Sequence, residues 1–254
     1  MALSGLVLVG FVCGHMLGNL QMFLHSDWIN EYAYKLQHLP YGLLWVVRTV
    51  MLIAVVAHVI TAVMLVLENH RARPEKYVAR DTLQASFASR TMRYTGFILF
   101  FFIIFHLMHF TIQNVHPEFK DLEVRLEGVS GSHGSLESRT IWGVYDKLSA
   151  HGEFPESEAL AVHDVYSMVA IGFSPTYWYV SVFYIISMGL LCYHLMHGIS
   201  SMFQSLGLRN AIWRVRLDRI ALVISLVVFV GFASIPVACL TGLIEPITPL
   251  VAVH

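Results

Sequence analysis

Residues Thr49–Leu67 read TVMLIAVVAHVITAVMLVL, 19 residues with no Asp, Glu, Lys or Arg and with one histidine, His58. A helix of that length rises about 28 Å, close to the roughly 30 Å hydrocarbon core of a bilayer. Lipid offers the backbone no hydrogen bonds, so an apolar run this long predicts a spanning helix and not a strand. The same pattern recurs outward from it. Residues 1–24, 94–117, 165–208 and 220–244 also lack Asp, Glu, Lys and Arg. The expectation is an all-α, polytopic membrane protein: a bundle of five transmembrane helices, with 1–254 as one domain. Helix I is predicted over Leu3–Leu24, II over Leu43–Leu67, III over Thr95–Gln113, IV over Pro175–Leu206 and V over Ile220–Leu243, with a kink at Pro236.

Composition narrows the function. Charged residues make up 13% and apolar or aromatic ones 56%, and 16 Lys and Arg nearly cancel 17 Asp and Glu. That balance excludes a polyanion binder steered by net charge and an intrinsically disordered chain. Cys13, Cys192 and Cys239 form neither a C-x-x-C pair nor a C-x-x-C-H haem-attachment motif, and read as small packing residues. The N-terminus has no basic n-region and no small-residue cleavage site, which predicts a retained first helix.

The loops set the expected orientation. Arg71, Arg73, Lys76, Arg80, Arg90 and Arg93 lie between helices II and III; Arg209, Arg214, Arg216 and Arg219 lie between IV and V. The I–II loop has only Lys35 and Arg48. The positive-inside rule then puts the N-terminus in the cytoplasm and the C-terminus outside. The long III–IV segment, about 118–164, includes the Gly/Ser-rich stretch Gly128–Ser138 and reads as an outer cap.

Fourteen histidines carry the chemistry. His15 on helix I, His58 on II, His106 and His109 on III, and His194 and His197 on IV all sit at membrane depth, where ionisable residues are rare and usually functional. Any one alone reads equally as an interhelical hydrogen bond. Four helices each carrying at least one suggest haem iron, for which neutral imidazole is the common axial ligand. Counted from the cytoplasmic helix ends, His15 lies about 18 Å up and His106 about 17 Å, whereas His58 lies about 13 Å up with His197 at a similar height. Two levels result, each with two imidazoles from two helices. On helix III His106 matches the height of His15 better than His109 does. On helix IV His197 matches His58 better than His194 does, and it precedes Gly198. Gly14, Gly18, Gly96 and Gly198 leave room for a flat macrocycle, or serve helix packing. Arg48 and Arg93 stand at helix ends as propionate partners, or as interfacial anchors.

These residues resemble a family. Gly14-His15-Met16-Leu17-Gly18-Asn19-Leu20, Arg48 through His58, Ala79-Arg80-Asp81 with Ser89-Arg90-Thr91-Met92, His106-Leu107-Met108-His109-Phe110-Thr111, Asp164-Val165-Tyr166 and His194–Leu208 (HLMHGISSMFQSLGL) are similar to the dihaem cytochrome b membrane subunit of succinate:quinone oxidoreductases and quinol:fumarate reductases. The resemblance covers nearly the whole chain, with 118–160 least matched. It implies two haems b: a distal one held by His15 and His106, and a proximal one held by His58 and His197. It further implies a flavoprotein with FAD and an iron–sulfur subunit on the cytoplasmic face of a prokaryotic inner membrane. The basic II–III and IV–V loops, Arg80 and Arg90 among them, would dock the iron–sulfur subunit. The dicarboxylate chemistry belongs to the partners; this chain would pass electrons between quinone and the clusters.

Quinol oxidation near the distal haem releases protons and needs an acceptor within hydrogen-bond reach. His25, Asp27, Glu31 and His38 in the I–II loop are the choices, Glu31 first and His38 next. Some family members carry a buried glutamate two residues before the helix IV ligand; counted from His197, that position is Leu195. Fumarate reduction with menaquinol is the favoured direction over succinate oxidation, which uses the same parts. Two other classes remain open: the dihaem subunit of a nitrate reductase or hydrogenase, and a metal or proton permease built on intramembrane histidines. A cytochrome of the bc type would need two ligands about two heptads apart on one helix, and no helix has them.

Overall fold

The computed structural model describes residues 1–72, 87–126, 160–210 and 212–248. Five of its helices are long and apolar enough to cross a membrane, with mean hydropathy between 1.6 and 2.8. The chain is an all-α, multi-pass membrane protein. In order, the elements are α1 (Ala2–Asn19), α2 (Ser26–Gln37), α3 (Leu43–Arg71), α4 (Phe87–His106), β1 (Glu123–Leu126), β2 (Leu160–His163), α5 (Val165–Gly172), α6 (Trp178–Ser205) and α7 (Arg214–Leu240). The spans are α1, α3, α4, α6 and α7.

At the basic ends the helices outrun the predicted spans. α3 continues to Arg71, α4 begins at Phe87 and α7 at Arg214. Backbone hydrogen bonding does not stop where the apolar run stops, and arginine lets a helix end in the interface with its charge in water. At the other ends the chain tightens or widens. α1 passes into the 3-10 turn Leu20–Phe23, and α4 into a π-helical turn, Leu107–Thr111, in which Ile112 N–H reaches Leu107 O at 2.7 Å. α7 runs through Pro236 as one helix.

α6 stands at the centre and packs along α7, α4 and α1. Met16, Leu195, Ile199, Ala221 and Val228 make one buried cluster. Phe102, Val180, Tyr184, Met188, Ile235 and Ala238 belong to a second, continuous with the cap through Phe119 and Phe173. α3 packs chiefly on α1, and Ala54 is its only buried residue.

The cap departs most from expectation. α2 is an unpredicted helix of 12 residues, started by His25 Nδ1 accepting from Asp27 N–H at 3.3 Å. Two strands, also unpredicted, pair antiparallel with Glu123 opposite His163. Asp164, fully buried, ties these pieces together. It accepts from Asn30 Nδ2 at 3.1 Å, Ser167 N–H at 2.9 Å and Thr248 Oγ1 at 2.6 Å. Asn30 Oδ1 in turn accepts from Tyr166 N–H at 2.9 Å. The stretch Gly128–Ser138 and the motif Ala79-Arg80-Asp81 lie outside the described residues.

Candidate functional site

Four imidazoles from four helices meet as two pairs. The rings of His15 on α1 and His106 on α4 have centroids 5.9 Å apart at an interplanar angle of 79°. The rings of His58 on α3 and His194 on α6 have centroids 6.3 Å apart at 63°. The first pair is as expected. In the second the structure turns His194, not His197, toward His58. The two candidates lie three residues apart, about 300° around a helix, so one rotation cannot aim both at the same point.

The helices themselves measure the separation of the pairs. On α1, His58 is met by Gly5, ten residues before His15. On α4, His194 is met by Gly96, ten residues before His106. On α6, Tyr184 touches His106 ten residues before His194. Ten residues rise about 15 Å, and three helices agree. The pair at the cap end and the pair at the other end thus form two levels.

Hydrogen bonds fix which ring nitrogen is free. Ser4 Oγ lies 3.3 Å from His58 Nδ1 and donates its one hydrogen to Met1 O at 2.8 Å. Thr95 Oγ1 lies 3.3 Å from His194 Nδ1 and donates to Met92 O at 3.0 Å. A hydroxyl has one hydrogen, so toward each imidazole its oxygen must accept. With the hydroxyl hydrogens on those carbonyls, an Nδ1–H on His58 and on His194 has an acceptor and Nε2 is left bare, the state a metal-ligating histidine takes. Tyr184 OH stands at the same 3.3 Å from His106 Nδ1. The Asn19 amide lies over the edge of His15, 3.3 Å from Nδ1 and 3.4 Å from Nε2. His197 has no hydrogen-bond partner among the described residues.

Bis-imidazole ligation joins two metal–nitrogen bonds of about 2 Å to about 1.1 Å from each nitrogen to its ring centre, or about 6.2 Å between centroids. Both pairs fit. No group of three His, Cys, Asp or Glu side chains that could hold a metal occurs among the described residues. An ion held by protein alone would need such a group, whereas a porphyrin brings its own nitrogens and asks the protein for two. Gly96 adds a close approach: a Cβ there would stand 3.3 Å from His194 Cε1. Gly14 opens on space with nothing within 4 Å of a Cβ. Gly18 and Gly198 serve packing instead, against Tyr32 and Met92.

The remaining candidates lie elsewhere. Arg48 is exposed with its guanidinium 4.9 Å from the Trp45 ring centre. Arg93 is exposed over Tyr94 at 4.6 Å and donates to its hydroxyl at 2.6 Å. Both match the interfacial-anchor reading, and the structure aims neither at an imidazole pair. Glu31 is ion-paired with Lys35 on α2. His38 is exposed, stacks on Tyr34 at 4.1 Å and bonds Tyr34 O through Nδ1 at 2.9 Å. A cleft of about 380 Å³ opens at the cap end between Met22, Phe23, Leu24, His25, Tyr166 and Ile247. Burial, with Cys239 and Asp164 nearby, raises the Tyr166 phenol above its ordinary range, so it stays protonated at neutral pH.

Sequence reasoning missed Ser4, Thr95 and Tyr184, because a hydroxyl in an apolar helix has no signature of its own. The spacing to a histidine ten residues along would have found Tyr184. Comparisons of the chain with family models, with curated proteins and with solved structures found no match.

Proposed function

We propose that this chain is the membrane-anchoring electron-transfer subunit of a quinol:fumarate reductase or succinate dehydrogenase. His15 and His106 hold one haem b, and His58 and His194 hold the other. When bound, the two haems supply one-electron carriers at two depths of the bilayer. The observation that carries the reading is the two imidazole pairs, one level about ten residues above the other on three helices, with Ser4 and Thr95 hydroxyls 3.3 Å from the Nδ1 atoms of His58 and His194.

The chain's own residues do the holding and the excluding. Phe11, Phe102, Phe110 and Phe232 ring the cap-end pair and keep water from it. The cap end faces outside, and the arginine-bearing ends of α3, α4 and α7 face the cytoplasm, as the positive-inside rule reads them. There they dock the iron–sulfur subunit, which connects to the FAD-bearing flavoprotein. Arg90 is exposed on that side; Arg80 lies outside the described residues. The cleft at the cap end suits a menaquinol headgroup. Its volume falls in the usual ligand range, and Met22 lies seven residues, about 10 Å, beyond His15. His25 and Tyr166 are polar groups within it. Glu31 and His38 remain the acceptors proposed for the released protons, Glu31 through its Lys35 pair.

Affinity purification of the whole complex from native membranes tests this reading. The expected result is co-purification of a flavoprotein and an iron–sulfur protein, a haem-to-flavin ratio of about two, and activity with fumarate and succinate. A haem-bearing chain without flavin would move it to another respiratory complex; a haem-free chain would sink it.

A further inference from the structure

The Tyr184 hydroxyl touches two imidazoles at once. It lies 3.3 Å from His106 Nδ1 and 3.1 Å from His109 Nδ1. The π-helical turn after His106 brings His109 to it, and α6 brings Tyr184. His109 is fully buried, stacked on Phe110 at 3.9 Å, and its Nε2 has no partner among the described residues.

One hydroxyl hydrogen cannot serve both rings, so it bonds His106, or His109, or neither while both rings donate to the oxygen. If Tyr184 donates to His106, then His106 Nδ1 is bare and its proton sits on Nε2, which cannot then bind a metal. If His106 Nδ1–H donates to Tyr184, the buried hydroxyl hydrogen keeps a partner by donating onward to His109 Nδ1, and has none in the hydrogen bonds of this site if His109 donates too. With the onward bond His106 Nε2 is free, and His109 carries its proton on Nε2, the nitrogen the structure leaves alone. Of the arrangements that keep the hydroxyl hydrogen bonded, only the second is compatible with ligation. It also differs from the other level, where Ser4 and Thr95 spend their hydrogens on backbone carbonyls that no side-chain substitution removes.

We propose that Tyr184 and His109 are positioning residues for the cap-end haem: His109 holds the Tyr184 hydrogen, and the hydroxyl oxygen so oriented strengthens His106 as a ligand. This rests on the haem reading above. A hydrogen bond from the outer N–H of a ligating imidazole makes it more electron-donating and favours the oxidised iron. The pair therefore lowers the reduction potential of one haem and leaves the other alone.

The test is a spectroelectrochemical titration of the purified complex in its wild-type, Tyr184→Phe, His109→Leu and His109→Asn forms. Tyr184→Phe is expected to keep two haems and to raise the potential of the cap-end haem only. His109→Leu should raise the same potential by less, because the hydroxyl stays but loses its acceptor. His109→Asn, whose side-chain oxygen can accept in place of Nδ1, should restore most of it. Should Tyr184→Phe fail to assemble, the contrast between His109→Leu and His109→Asn decides alone. Unmoved potentials, equal shifts in both haems, or equal shifts in both His109 variants overturn the inference while leaving the haem reading standing. A wild-type complex without two haems overturns the haem reading and this inference with it.

Discussion

The two imidazole pairs are alike in spacing and unlike in surroundings. At the cap end, His15 and His106 lie among Phe11, Phe102, Phe110, Tyr184 and Phe232, and His106 is backed by a second buried imidazole through one hydroxyl. At the other end, His58 rides on α3, whose only buried residue is Ala54, and its ring leans on Gly5 and Ser4 at the start of α1. One level is built from packed aromatic side chains and the other from small residues and backbone. The difference teaches that two levels of like ring spacing can stand in unlike shells, and that the shell decides how far each level can be altered separately.

The largest expected effects break one level and spare the other. His194→Ala should remove the haem at the α3 end and leave the cap-end haem in place, whereas His197→Ala should keep both; haem content and the low-spin spectrum check this. Loss in His197→Ala with retention in His194→Ala would restore the pairing expected from sequence. Next in size is Gly96→Val, which puts a branched side chain where even a Cβ would stand 3.3 Å from His194 Cε1. Occupancy of that haem should fall while the cap-end haem is unchanged, read as haem per chain.

Asp164→Ala sharpens the contrast from the cap. It removes the acceptor of three hydrogen bonds and strands Asn30 and Thr248. Leaving such buried donors unpaired costs about 1–3 kcal/mol each, so the detergent-solubilised protein should unfold at lower temperature, with the cap-end haem released first. Simultaneous release of both haems would contradict separate support of the levels. Smallest of all, Thr95→Val should shift only the potential of the haem at the α3 end, because it takes the hydroxyl from His194 and little else.

Most of the fold was legible because lipid makes the rule simple: a long charge-free run can only be a helix. The cap was not, since α2, β1 and β2 are short and depend on contacts such as Asn30 to Asp164 across the sequence. The Ile29, Tyr32, Ala33 and Leu36 spacing was the available signal for α2. The meeting of the His15 and His106 rings was legible from depth. On helix IV height favoured His197, whereas the ring that faces His58 is that of His194, because height does not give rotation about the axis. Contact with Thr95 and Gly96 on α4 settles that rotation for His194. The contacts of Arg48 with Trp45 and of Arg93 with Tyr94 were not legible for a related reason: position at a helix end says where a charge is, not which way it points.

The central claim is that each pair holds its own haem, and counting haem b in the purified chain tests it most directly. Measured as the pyridine haemochrome against polypeptide, the wild type should carry two haems, His15→Ala one and His58→Ala one, with the double variant empty. A wild type with none, or a haem content that neither substitution lowers, would contradict it.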